Sequence, residues 1–317
     1  MPVIERELDG QDLKRAFEAA KVEIEQHIDE VNALNVFPVP DGDTGINMFL
    51  TIKAAVRAIE QTDDSSAANI SALAARGALM GARGNSGVIL SQIMKGMAKG
   101  LEEKEYFSFP DFADALNCAS EQAYKVVVNP VEGTMLTVIR EVSEEASSVS
   151  GKMISFGRAI VSVVRRARET VKRTPEMLPV LKEAGVVDSG AKGLYYFFKG
   201  MENAICRKNT RTSSEETSSR KVSTSKEEER HYGFDVQFLL EGKDLPVEEI
   251  RERVVASGEC PLVAGDETLV KVHVHTMNPD EILNYARSKG TLQDIIVEDM
   301  DMQVQGQIQK KGGPSRG

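Results

Sequence analysis

The stretch from Asn35 to Asn47 reads Asn-Val-Phe-Pro-Val-Pro-Asp-Gly-Asp-Thr-Gly-Ile-Asn. Asp41 and Asp43 stand one residue apart in it, and the carboxamide of Asn35 precedes them. Carboxylates and a carboxamide gathered on one loop are hard oxygen donors suited to Mg²⁺ or Ca²⁺. Ile46 opens an apolar-periodic segment, so the loop runs into a helix start whose free N–H groups and positive dipole end attract phosphate. Metal plus phosphate is the chemistry this spacing points to. A capping Asp-Gly turn is the competing explanation, but it needs only one acidic residue. Here there are two, braced by Pro38 and Pro40, which hold the backbone extended. An EF-hand fits poorly: counting from Asp41, the fifth position is Gly45 and the twelfth Ile52, where a calcium loop needs oxygen ligands.

Three further stretches open helices. Gly81-Ala-Arg-Gly-Asn-Ser-Gly87 can expose backbone N–H groups to phosphate oxygens. It is no Walker motif, since Gly-Lys-Ser/Thr occurs nowhere in the chain. Glu132-Gly-Thr-Met135 and Val187-Asp-Ser-Gly-Ala-Lys-Gly193 place Thr134 and Ser189 beside helix-start amides. A glycine corner accounts equally for the first, and simple capping for the other two. His273 and His275 share one face of a strand, which suits a metal or acid-base role as well as a solvent-facing pair.

Apolar residues at Leu13, Phe17, Ala20, Ile24, Ile28 and Val31 recur at helix spacing. The pattern repeats through Ile46–Ile59, Ala68–Leu79, Val88–Leu101, Phe109–Val128, Glu132–Glu145, Ser155–Val171 and Gly190–Ile205, a run of about eight helices. Residues 1–207 therefore form an all-α domain. Residues 208–230, rich in Ser, Thr, Lys, Arg and Glu, lack the apolar surface to offset ordering entropy and read as a disordered linker. From 231 to 302 the period changes: strands at 232–240, 269–276 and 295–297 alternate with helices at 246–256 and 279–288, a small α+β domain. The tail from 303 to 317 reads as frayed.

The net charge of −10 argues against nucleic acid or an anionic membrane as the main partner. No apolar run approaches the ~20 residues of a membrane span. The N-terminus lacks a signal peptide's basic and apolar regions, and Cys118, Cys206 and Cys260 form no paired pattern. The chain reads as cytoplasmic.

Together the four loops resemble the nucleotide-binding DhaL-type domain of dihydroxyacetone kinases, and most closely the ATP-binding subunit of bacterial fatty acid kinase. The resemblance covers about residues 10–206, with the order and spacing of all four blocks in agreement. It implies a barrel of eight antiparallel helices holding ATP or ADP through two Mg²⁺ ions. Asp41 and Asp43 would ligate Mg²⁺, with Asn35 standing near a third ligand position. Thr44 and Asn47 would lie beside the phosphates. Gly84, Asn85 and Ser86 would touch phosphate or ribose, Thr134 and Met135 would flank the base, and Asp188, Ser189, Gly190 and Ala191 would close the pocket. The segments around Tyr232–Gly242 and Val270–Pro279 are similar to that subunit's middle domain, where a cysteine and two histidines suggest zinc. Asp235 stands at the cysteine position, leaving Asp235, His273 and His275 as a candidate Zn²⁺ set. Full-length members of the family continue for a further domain, and the chain reads as a short form or a fragment.

The resemblance implies transfer of the ATP γ-phosphoryl group to an acceptor presented by another protein, a fatty acid on a DegV-family partner. A glycerone (dihydroxyacetone) kinase-type reaction and a non-catalytic nucleotide-binding regulator are the alternatives. A homodimer is compatible with each.

Overall fold

The computed structural model describes residues 7–152, 154–206 and 231–311, with side chains described as far as residue 305 in the last segment. The expected linker at 208–230 lies outside the described residues.

Local signals start the helices. Helix α1 (Gly10–Gln26) opens on a capping box in which Asp9 accepts the Asp12 N–H at 2.8 Å and the Asp12 carboxylate accepts the Asp9 N–H. Then follow α2 (Ile28–Ala33), α3 (Thr44–Ile59), α4 (Ala67–Met80) and α5 (Gly84–Gly100). Next come α6 (Phe109–Val126), α7 (Met135–Ser150), α8 (Phe156–Met177), α9 (Pro179–Ala184) and α10 (Ser189–Ile205). Ser108 and Asp111 form a second capping box at α6, with Pro110 in its first turn. Leaving aside the short α2 and α9, each long helix packs on the next, and α10 returns to α1, closing the ring. The helices that the periodicity predicts are present, and they close into the barrel that the resemblance implies. A two-residue ladder that the sequence did not announce, β1 (Leu8–Asp9) with β2 (Tyr106–Phe107), ties the chain start to the α5–α6 connection.

The barrel is filled by its apolar stripes. Phe156 meets the edges of Phe107 and Phe109, with centroids at 5.8 and 5.2 Å. Each such ring removed from water stabilises the fold by about 2 kcal/mol.

After residue 231 the chain forms β3 (Phe234–Glu241), α11 (Val247–Ser257), β4 (Glu259–Gly265), β5 (Leu269–Thr276), α12 (Pro279–Lys289), β6 (Thr291–Asp299) and α13 (Met300–Lys311). The antiparallel sheet runs β4-β5-β3-β6. Helices α11 and α12 cover one face, where Val236, Phe238, Val272 and Val274 pack on Ile250, Val254 and Ile282. The opposite face carries Asp235, Gln237, Lys271, His273 and His275, all buried. It is covered by the barrel: Leu262 and Ala264 of β4 share an apolar cluster with Leu79, Ala82, Val88 and Val126. Two expectations change. Strand β4 is not announced by the sequence pattern because Gly258, Pro261 and Gly265 punctuate it. The tail is helical where the sequence suggests fraying: Met300 and Val304 of α13 bury against Val39, and that burial offsets the polarity of the rest of the helix.

Candidate nucleotide and metal site

Helix starts meet at one end of the barrel. Gly42, at φ 72°, lets the chain double back into α3. Asp43 makes no side-chain capping bond there. Asn32 of α2 does that work instead, accepting the N–H of Gly45 at 2.7 Å and of Ile46 at 3.3 Å. Asp43 is therefore not spent on capping, whereas Asp41 accepts the Asp43 N–H within the turn and the two carboxyls bond each other. Asn35 donates its side-chain N–H to Asp41, and Asn47 bonds Asp43. Among the described residues no lysine or arginine pairs with either acid.

At the other loops capping and pocket roles coincide. Thr134 accepts the Leu136 N–H at 3.3 Å and donates to the Val131 carbonyl at 2.7 Å. Asp188 accepts the Ala191 N–H at 2.7 Å and also that of Met135, joining the starts of α7 and α10. The hydroxyls of Thr44 and Ser189 meet at 3.0 Å, joining α3 to α10. Gly84 sits at φ 54° at the start of α5, with its N–H donated to Gln237 Oε1 at 3.0 Å. Its amide is thus taken, so a phosphate bound at this helix start would fall to the first-turn N–H groups of Asn85 and Ser86.

Every residue named from the sequence except Ala191 lines one cavity of about 1170 Å³. Ala191 is fully buried behind it. The two candidate sites that the sequence presented separately are one site: Asp235, His273 and His275 form a wall of the cavity that holds Asp41 and Asp43. Four contributors are invisible to sequence reasoning. Glu259 and Cys260 come from the unannounced strand, and Leu178 and Val180 add to an apolar wall with Val131, Met135 and Leu136. A lone cysteine and scattered aliphatics carry no sequence signal for a site.

The electrostatics are those of a cation site. Burial pushes the carboxyls of Asp41 and Asp43 up; the charge of Asp43 raises Asp41 further, to about 9, while the hydrogen bond from Asp41 opposes the rise at Asp43. The histidine pair does not face solvent: His273 is 1% and His275 8% exposed. Burial and the neighbouring His273 pull His275 down to about 4, so its imidazole is neutral. Burial would raise Asp235, but the imidazoles beside it hold it below the usual carboxylate range. One ligand atom from each of the three lies within 4.8 Å of the others. His273 Nδ1 stands 3.1 Å from Asp235 Oδ1, yet without hydrogen-bond alignment: both atoms, and His273 Nε2, are buried with no partner. Unpaired buried polar atoms cost about 1–3 kcal/mol each, and a divalent cation would satisfy Asp235 Oδ1 together with one of the two His273 nitrogens. Burial, with Glu259 adding to it, pushes the Cys260 thiol up to about 11.

Residues 38–203 match the family described as DAK2 domain. The chain belongs to the DAK2-domain family. Residues 231–307 match the FakA-like middle domain of fatty acid kinase, so this DAK2 protein joins two domains of kinase type. It is 37% identical to protein YloV of Bacillus subtilis over 98% of the chain and 59% of that protein. It is 36% identical to the uncharacterized protein SSP1546 of Staphylococcus saprophyticus over 91% of the chain and 54% of that protein. The chain thus spans little more than half the length of these relatives. The dihydroxyacetone kinase of C. freundii in complex with AMP-PNP and Mg²⁺ superposes with a TM-score of 0.48 at 16% identity, over 64% of this chain and 35% of that one. No helix among the described residues is long and apolar enough to cross a membrane.

Proposed function

We propose that this DAK2 protein is the nucleotide-binding component of a phosphotransferase that passes the γ-phosphoryl group of ATP to an acceptor brought by a partner. The observation that carries the reading is the junction, in one cavity, of the acids Asp41 and Asp43, which have no lysine or arginine paired to them among the described residues, with the first turn of α5 at Asn85 and Ser86. Mg²⁺ held by Asp41 and Asp43, with Asn35 beside them, would neutralise the phosphates and the charge that develops on transfer. The chain's own residues do the rest. Thr44, Asn47, Asn85 and Ser86 bind and orient the phosphates, while Met135, Leu136, Leu178 and Val180 offer apolar surface for the base and exclude water. Asp188 keeps the starts of α7 and α10 together beneath it.

Asp235, His273 and His275 supply a second donor set of two imidazoles and a carboxylate, suited to Zn²⁺ or a related divalent cation. They line the same cavity as the Mg²⁺ ligands, on the wall supplied by the sheet, where an acceptor oxygen can be oriented toward the γ-phosphate. A fatty acid carboxylate presented by a DegV-family partner is the acceptor this reading favours, on the strength of the middle-domain match. Calorimetric titration of ATP with Mg²⁺ and then with EDTA, on wild type and Asp41→Ala, tests the site. Magnesium-dependent binding abolished in the variant supports it. Binding indifferent to Mg²⁺, or intact in the variant, defeats it.

A further inference from the structure

Gln237 lies in the middle of the buried polar face of the sheet, 3% exposed, opposite His273 in the β3–β5 register. Its side chain is bonded at both ends. Oε1 accepts the N–H of Gly84 at 3.0 Å, and Nε2 donates to Asp235 Oδ2 at 2.6 Å. The orientation of this amide follows from its partners. A backbone N–H can only donate, so Gly84 must face the carbonyl oxygen, and the NH₂ group must then face the carboxylate.

The consequence falls on Asp235. Its Oδ2 is tied down by Gln237, and Oδ1 is the oxygen left unpaired and buried beside the equally unpaired His273 nitrogens. One carboxylate oxygen is held so that the other points at the imidazoles.

We infer that Gln237 is the positioning residue that keeps Asp235, His273 and His275 in ligand geometry and fixes that cluster to the phosphate loop at Gly84. The inference rests on the reading that a divalent cation binds the cluster. A ligand carboxylate is commonly oriented by an outer partner, and losing such a partner costs about 10–100-fold in metal affinity. Here the partner has a second anchor in the barrel, so the donor set on the sheet and the amides on α5 are held in register by one side chain. Gln237 touches neither phosphate nor cation; it acts through Asp235 and Gly84.

The test uses Co²⁺ as a spectroscopic probe on the metal-stripped full chain. A visible absorption band lost in His275→Ala identifies cobalt at the histidine cluster. Gln237→Met has nearly the same shape and neither hydrogen bond. With a retained cooperative melt, it is expected to bind Co²⁺ about 10–100-fold more weakly, with a shifted band. An unchanged dissociation constant and an unchanged band in a folded Gln237→Met overturn the role of Gln237 and leave the cation reading standing. No His275-dependent band in wild type overturns both. Should Gln237→Met not fold, Gln237→Glu keeps an acceptor for Gly84 and sets a carboxylate against Asp235. A band shifted from wild type at pH 8 supports the inference, and an identical band overturns it.

Discussion

A Cβ on Gly84 would overlap the carboxamide of Asn47. That carboxamide also bonds Asp43, so the start of α5 rests directly on the group that steadies a candidate Mg²⁺ ligand. Gly84 in addition holds φ at 54°, a conformation that costs a side-chain-bearing residue roughly 1–2 kcal/mol. Gly84→Ala is therefore expected to destabilise the fold by about 2 kcal/mol or more, the strain and the overlap adding. It should also weaken Mg²⁺-dependent ATP binding as Asn47 is displaced. Denaturant unfolding and calorimetry measure the two effects. Wild-type values for both would show that the loop yields without cost.

Removing an acid from the metal pair should stabilise the protein and disable its ligand response. Asp41 and Asp43 are neighbouring carboxyls with no cationic side chain paired to them among the described residues, and burial penalises their charge. Burial and Asp43 raise the Asp41 carboxyl to about 9 in the folded protein, so folding at neutral pH must protonate it, and Asp41→Asn removes that cost. In EDTA its melting temperature should rise by roughly 2–4 °C, the shift that ~1 kcal/mol produces in a domain of this size. The further rise that Mg²⁺ with ATP gives wild type, about 2.7 kcal/mol at a hundredfold excess over Kd, should vanish. A variant less stable than wild type in EDTA would show that the pair is held together by more than a cation.

Asp188 gives stability a pH dependence opposite to that of a salt-bridged acid. Burial pushes it from 3.8 to about 7, against the N–H groups of Ala191 and Met135, which favour the anion. A raised folded-state pKa means that the native protein holds the proton more tightly than the unfolded chain. The contribution is complete below about pH 4 and is lost as the pH climbs toward 7. At 1.36 kcal/mol per pH unit the full span is on the order of 4 kcal/mol. Asp188→Asn keeps a good N-cap and should flatten this slope, equalling or exceeding wild type at pH 8. Denaturant midpoints at pH 5, 6, 7 and 8 decide it. Parallel slopes for the two proteins would place the titration elsewhere.

What could be read from the sequence was local, and what could not was long-range. Leu13, Phe17 and Ile24 announce α1 because helix periodicity survives in any context, and Asp9, Ser108 and Asp188 mark helix starts because caps act within three residues. The acidic loop stood out for the same reason, its prolines, glycines and acids lying close together in the chain. The Asn32 cap was not: its partner amides at Gly45 and Ile46 are 13 and 14 residues away, beyond any capping motif. Nor did any pattern announce that Asp235 would face Asp41. That meeting depends on how the sheet docks on the barrel through Leu262, Ala264 and Val126, and sequence spacing carries no record of docking. Strand β4 brought Cys260 to the cavity at φ 51°, and a cysteine between Gly258 and Pro261 carries no strand signal.

Helix α13 packs on the acidic loop at the cavity wall, and detaching it should be felt at the candidate nucleotide site. Val39 lies between Pro38 and Pro40, and it is buried at 6% exposure against Met300 at 1% and Val304 at 6%. The prolines stiffen the loop, and the apolar cluster ties it to α13. Val304→Asp places a carboxylate in that cluster, where it would be buried unpaired, and the helix is expected to lift away. With Asp41 only two residues from Val39, the Kd for ATP with Mg²⁺ should rise by about tenfold, or ~1.4 kcal/mol. Val304→Ala should fall between the two. Unaltered affinity in Val304→Asp, with fluorescence or hydrogen exchange reporting a released helix, would mean that the prolines and the Asn35–Asp41 bond are enough to hold the acids in place.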